Sequence, residues 1–274
     1  MARWMITVAF LIFSTAGLSN TKEYSLRFKL FEGKTWAIRE KQTMSAEFPA
    51  FPGNNMFNKG EYTATYKVDK AREDGSFEVV VVLSDGKMEG GNMFMSPMDI
   101  SGLQGKPIRM IVSPDGNIRD VFQPEGLEES AVPSFQAVKE GHLNFGFNTF
   151  LPHKDVAIGE TWVTNRPIIM EIAEGEIEML LEVESKLEGV EKIQKNEYLK
   201  VTFEGEFNGT LRQGWATING KIMGSYLFDL ERGEVLRMNM EMDQGFSIND
   251  EKGVVNGEIK TKMSSERVED VGVH

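Results

Sequence analysis

Three histidines, His142, His153 and His274, are the whole imidazole inventory of the 274-residue chain, and there is no cysteine. A thiolate nucleophile and any cysteine-based zinc or iron–sulfur site are thereby excluded. No His-Glu-x-x-His, no histidine pair at ligand spacing and no Gly-x-Ser-x-Gly elbow occurs, so neither a conventional zinc centre nor a serine hydrolase is expected. Gly102-Leu103-Gln104-Gly105-Lys106-Pro107 lacks the spacing and the Ser or Thr of a phosphate loop and reads as a turn. Carboxylates are plentiful. Glu176, Glu178, Glu182 and Glu184 could hold a cation or serve a glycosidase, but a solvated strand face explains them more simply. Asp115-Gly116 and the run from Asp250 to Gly253 are turn chemistry, since a calcium loop would need its repeated Asp residues. No catalytic residue, metal ligand or cofactor is assigned, and the chain is not expected to be an enzyme.

Methionine is the unusual component, with 16 residues. Met88, Met93, Met95 and Met98 fall with Phe94 in a Gly-rich stretch read as a loop, while Met238, Met240 and Met242 alternate along a strand and must share one face. Such thioethers could bind Cu(I), line a cavity for varied apolar ligands, or fill a core as flexible spacers. The ligand-lining candidates are Met93, Phe94, Met95, Met238, Met240 and Met242.

The elements that must carry these side chains are strands. Tyr62, Ala64, Tyr66 and Val68 alternate with polar residues, as do Phe77, Val79, Val81 and Leu83 beyond Glu73-Asp74-Gly75, which predicts a hairpin. Ile108, Met110 and Val112 lead through Ser113-Pro114-Asp115-Gly116 to Ile118 and Val121, a second hairpin. Residues from Glu174 to Ile193 have helix-forming composition, yet Ile177, Met179, Leu181 and Val183 alternate with glutamates, which favours a long strand. Further strands are expected over 198–207, 215–229, 234–248 and 254–264. Asn208-Gly209, Asn219-Gly220, Arg232-Gly233 and 250–253 are read as the intervening turns. Only Gly126 to Gly141 looks helical, and Pro133 is expected to limit it to short pieces.

The chain repeats itself. Gly33-Lys34-Thr35-Trp36 recurs as Gly159-Glu160-Thr161-Trp162, the segment at Gly75 has a counterpart at Asn196, and the hairpin at Gly116 has one at Gly233. The order is kept, which points to two copies of one β unit, with Trp36 and Trp162 as matching, buried anchors. The expected fold is all-β and antiparallel: two related units, half-barrel or barrel-like sheets, joined by a short helical linker. The boundaries are 1–19 for a signal peptide, 20–125 and 151–268 for the units, 126–150 for the linker and 269–274 for a tail. Two separate sheets and one large curved sheet both remain compatible with this pattern.

Tyr24-Ser25-Leu26-Arg27-Phe28-Lys29-Leu30 followed by Gly33 to Trp36, then Leu151-Pro152 ahead of Val156 to Trp162, resembles a family of exported bacterial proteins of unknown function. That family is similar in pattern to the half-barrels of lipoprotein carriers in the cell envelope. The resemblance implies an envelope protein with a curved β sheet and carries no catalytic residues. The chain departs from lipid-anchored members by lacking the acylated cysteine.

Arg3, the apolar stretch Trp4 to Phe13 and the small residues before Asn20 have the layout of a secretory leader, too short for the roughly 20 residues of a membrane span. With Arg3 removed, 29 basic residues face 42 acidic ones, a charge of −13, which disfavours nucleic acid and anionic membrane surfaces. The combined reading is an exported, periplasmic or extracellular protein that binds an apolar or amphipathic ligand. A structural or protein-interaction part of the envelope is the alternative, and Met-based copper binding a further one.

Overall fold

The computed structural model describes residues 22–47, 49, 56–90, 100–172, 175–211, 216–250 and 253–268. The leader, the 269–274 tail and Met93, Phe94 and Met95 lie outside them. So does the side chain of Glu176.

The strands are β1 (Glu23–Tyr24), β2 (Thr35–Glu47), β3 (Met56–Ala71), β4 (Phe77–Gly90), β5 (Pro107–Val112) and β6 (Ile118–Phe122). After a single α-helix among the described residues, α1 (Val132–Asn144), come β7 (Val156–Ala157), β8 (Thr161–Ile172), β9 (Gly175–Ile193), β10 (Asn196–Leu211), β11 (Ala216–Asp229), β12 (Glu234–Asp250) and β13 (Gly253–Val268). The fold is all-β and antiparallel. Met88 belongs to β4 and not to the loop the sequence suggested, because pairing with β3 continues past a register shift to Met88 opposite Gly60 and Gly90 opposite Asn58.

One sheet of 11 strands contains both halves, in the order β6-β5-β4-β3-β2-β13-β12-β11-β10-β9-β8. Each half is a meander of sequential hairpins, and the halves join where β13 pairs with β2, Arg267 opposite Ile38 and Met263 opposite Gln42. This decides between two sheets and one. The sheet is not a closed barrel: β6 and β8 are its edges, and α1 packs against both. A separate pair, β1 with β7, ties the start of the first half to the start of the second.

The two Gly-x-Thr-Trp segments occupy matching places. Gly33 and Gly159 both adopt positive φ, +83° and +89°, which glycine enters without the steric cost of a Cβ. The Gly33 N–H donates to Val68 O at 2.9 Å and the Gly159 N–H to Leu187 O at 2.7 Å, each on the following long strand. Trp36 and Trp162 are then the second residues of β2 and β8, and both are buried.

Two expected turns are strand interior. Asn208 faces Asn219, and Phe207 faces Gly220, in continuous β10–β11 pairing. Here glycine makes room for aromatic rings instead of bending the chain. A Cβ on Gly220 would come within 2.3 Å of Phe207 Cζ, one on Gly224 within 2.5 Å of Phe203 Cζ, and one on Gly257 within 2.2 Å of Phe246 Cζ. Each ring lies over the glycine directly opposite, the arrangement by which large residues cover strand glycines in curved sheets. The helix also differs from expectation: Pro133 sits in its first turn, where a missing N–H breaks no intrahelical bond, so α1 runs uninterrupted for 13 residues.

Candidate functional site

Side chains alternate across a strand, so the register lays out the inner face as rows of directly opposed residues. One row runs Tyr62, Glu40, Ser265, Met238, Tyr226; the next runs Gly60, Gln42, Met263, Met240, Gly224. A third contains Met44, Thr261, Met242 and Ile222. Above these rows lie α1, with Val138 and His142, and the segment that follows it, with Phe145, Phe147 and Phe150. Between floor and roof is a cavity of about 400 Å³, within the roughly 300–1,000 Å³ of small-ligand pockets. Met238, Met240 and Met242 all line it, joined by Met263.

The roof is tied down from both sides. Arg166 donates to Thr149 Oγ1 at 2.9 Å and Leu143 O at 3.1 Å, and the Asn144 amide exchanges two hydrogen bonds with the backbone of Ile169 on edge strand β8. The carbonyl of Phe150 accepts from both Trp162 Nε1 (3.2 Å) and the Tyr226 hydroxyl (2.9 Å). On the other side Phe147 stacks on Phe28 at 4.7 Å and meets Trp36 edge-on at 5.5 Å, while Trp36 stacks on Tyr66 at 5.0 Å. Trp36 therefore lines the cavity, whereas Trp162 supports its roof from below.

Two polar groups interrupt the apolar lining. In the first, the Tyr62 hydroxyl donates to Glu40, and Tyr66 Oη lies 3.2 Å from His142 Nε2. Burial holds the His142 pKa below its ordinary value, so the ring is neutral. With Nδ1 2.8 Å from Val138 O, the proton is assigned there, and Nε2 accepts from Tyr66. Burial, and next the charge of Glu40, raise the pKa of both tyrosines.

The second group lies where β13 meets β2. Glu234 is 3.2 Å from Lys34 Nζ and 2.9 Å from Arg267 Nη1, and all three side chains are at most 10% exposed. Lys34 also donates to Lys29 O at 2.7 Å and Arg232 O at 3.1 Å, and lies over the rings of Phe28 and Trp36. Burial lowers the Lys34 pKa and raises that of Glu234, each opposed by the partner's charge.

Neither polar group was singled out from the sequence. A signal was present: Glu40 and Gln42 continue the inward alternation begun by Trp36 and Ile38, and a polar residue at an inward position calls for a partner. Among the described residues no group of three or more His, Cys, Asp or Glu side chains could hold a metal ion. Glu178, Glu182 and Glu184 are exposed on the outer face. Glu184 borders a wider outer concavity of about 1050 Å³, where lysines and glutamates pair with one another, Lys262 with Glu241 at 2.8 Å and Lys186 with Glu188 at 3.0 Å.

No family model matches the chain, and no curated protein matches it. Among solved structures, lipovitellin, in a study of its lipid–protein interactions, is similar with 15% identity and a TM-score of 0.55 over 88% of this chain and 25% of that one. The chain thus spans about a quarter of lipovitellin's length. Weaker likenesses are to the hypothetical lipoprotein YmcC from Escherichia coli (11% identity, 82% of this chain, 85% of that one, TM-score 0.28). Another is to a LolA superfamily protein from Nitrosomonas europaea (9%, 88% and 89%, TM-score 0.17). What the chain shares with lipovitellin at this identity is its fold.

Proposed function

We propose that this protein is an exported, non-enzymatic binder of an amphipathic small molecule, whose apolar part lies between the sheet and α1. The observation that carries the reading is the cavity of about 400 Å³ floored by Met238, Met240, Met242 and Met263 and roofed by Phe145, Phe147 and Phe150. Flexible thioethers and aromatic faces accept apolar chains of varied shape. The likeness in fold to lipovitellin, studied for its lipid–protein interactions, is in keeping with it. Titration with a fluorescent fatty acid analogue tests the reading. Saturable one-to-one binding is expected, weakened at least tenfold by Met240→Glu in a protein whose circular dichroism is unchanged. A wild type that binds no probe saturably overturns it.

A second reading, contact with an envelope protein, is favoured by one feature: Ile169 on edge strand β8 and Leu180 on β9, opposite Pro167, are about half exposed on the outer face. Charged substitutions there would then abolish a partner's binding and leave the probe titration unaltered.

A further inference from the structure

We infer that the ligand's polar end is an anionic oxygen, of a carboxylate or a phosphate, received by Arg267 where β13 meets β2. The inference rests on the cavity being a ligand site. Arg267 lines the cavity next to Glu234 and Leu236. Its side chain is 10% exposed, and its Nε is buried with no hydrogen-bond partner among the described residues. A buried guanidinium N–H without an acceptor is costly, and an acceptor brought by a ligand relieves that cost.

Charge points the same way. Lys34 and Arg267 are two buried cations sharing one carboxylate, Glu234, an excess of one positive charge. Asp229 also acts on Lys34 but is paired with Arg232 at 3.9 Å, so that pair adds none. The other acceptors of Lys34 are the neutral carbonyls of Lys29 and Arg232. Glu234 thus leaves that excess shared between the two cations, and of the two it is Arg267 that lines the cavity. Glu40 stands two residues beyond Ile38, the residue opposite Arg267, and its carboxylate already accepts from Tyr62. Its charge repels an anion and biases the headgroup toward Arg267.

The apolar path begins at the same point. From Arg267 the inner face of β13 steps to Ser265, Met263 and Thr261, opposite Met238, Met240 and Met242, each step being about 6.8 Å. A single chain leaving the headgroup would lie along the thioethers.

The test is calorimetric titration of the protein with four probes of one chain length: dodecanoate, dodecyl phosphate, dodecanol and dodecylammonium. At least one anion is expected to bind ten or more times tighter than the alcohol, and the tighter of the two identifies the headgroup. Arg267→Gln, which leaves the Lys34–Glu234 pair in place, should remove that tenfold preference, the anions falling to the affinity of the alcohol. Equal affinities for acid, phosphate and alcohol, or an equal loss of all probes in Arg267→Gln, would overturn the assignment while the cavity reading stands. Failure of every probe to bind would overturn both. The wild-type ranking decides the matter even if the variant does not fold.

Discussion

Glu234→Gln removes the one carboxylate between two buried cations. At an effective dielectric constant of about 20, contacts of 3.2 and 2.9 Å are each worth about 5 kcal/mol of gross attraction. Desolvating three ions offsets most of that sum, so the intact triad contributes little net stability. Taking away the anion leaves the desolvation of Lys34 and Arg267 uncompensated, and the expected loss is about 3–5 kcal/mol. Lys34 keeps two carbonyl acceptors, which places the loss toward the lower end. With a urea m-value near the upper end of about 1–3 kcal/mol/M, the unfolding midpoint should fall by about 1 M. The triple variant Lys34→Met, Glu234→Leu, Arg267→Met removes all three charges and should return to within about 1 kcal/mol of the wild type, or exceed it. A midpoint shift in Glu234→Gln below about 0.3 M, or a triple variant as unstable as the single one, would refute the argument.

Gly224→Ala would place a Cβ 2.3 Å from Asn239 O and 2.5 Å from Phe203 Cζ; a loss of about 1–3 kcal/mol is expected by thermal melting, and a melting temperature unchanged from wild type would remove the ring-over-glycine account of the sheet. Burial depresses the His142 pKa, so the unfolded chain takes up a proton near pH 6.5 while the native ring stays neutral. Stability should then fall as pH drops from about 6.5 toward 5; His142→Gln should flatten that slope, and an identical slope in the variant would show that another group titrates. Replacing Met238, Met240 and Met242 together by Leu keeps volume and apolarity, so fatty acid probe binding should stay within a few-fold. A copper site would instead lose its ligands, which Cu(I) titration of both proteins would reveal.

The strands and their period were legible along the chain because alternation is a local property, and even β9 showed its inward Ile177, Met179, Leu181 and Val183 against helix-forming composition. The Gly-x-Thr-Trp pair was legible for the same reason: a positive-φ glycine before a strand leaves its mark in a few consecutive residues. The turns at Asn208-Gly209 and Asn219-Gly220 were misread because a glycine under an opposing phenylalanine has the same local signature as a glycine in a hairpin. Of the cavity, Met238, Met240 and Met242 were visible as one face of a strand. Their partners Met263, Phe147 and His142 were not, since β13 and the roof segment meet them only through folding.

The sequence by itself determined the antiparallel β character, the absence of cysteine chemistry, the net negative charge and which side of each strand is apolar, all of which depend on composition or on neighbours two residues apart. Only the tertiary structure decided that both halves form a single sheet, because that depends on β13 finding β2 across more than two hundred residues of chain. The same seam brings Lys34, Glu234 and Arg267 together and leaves a buried guanidinium facing a cavity, a consequence of long-range strand pairing that no local pattern encodes.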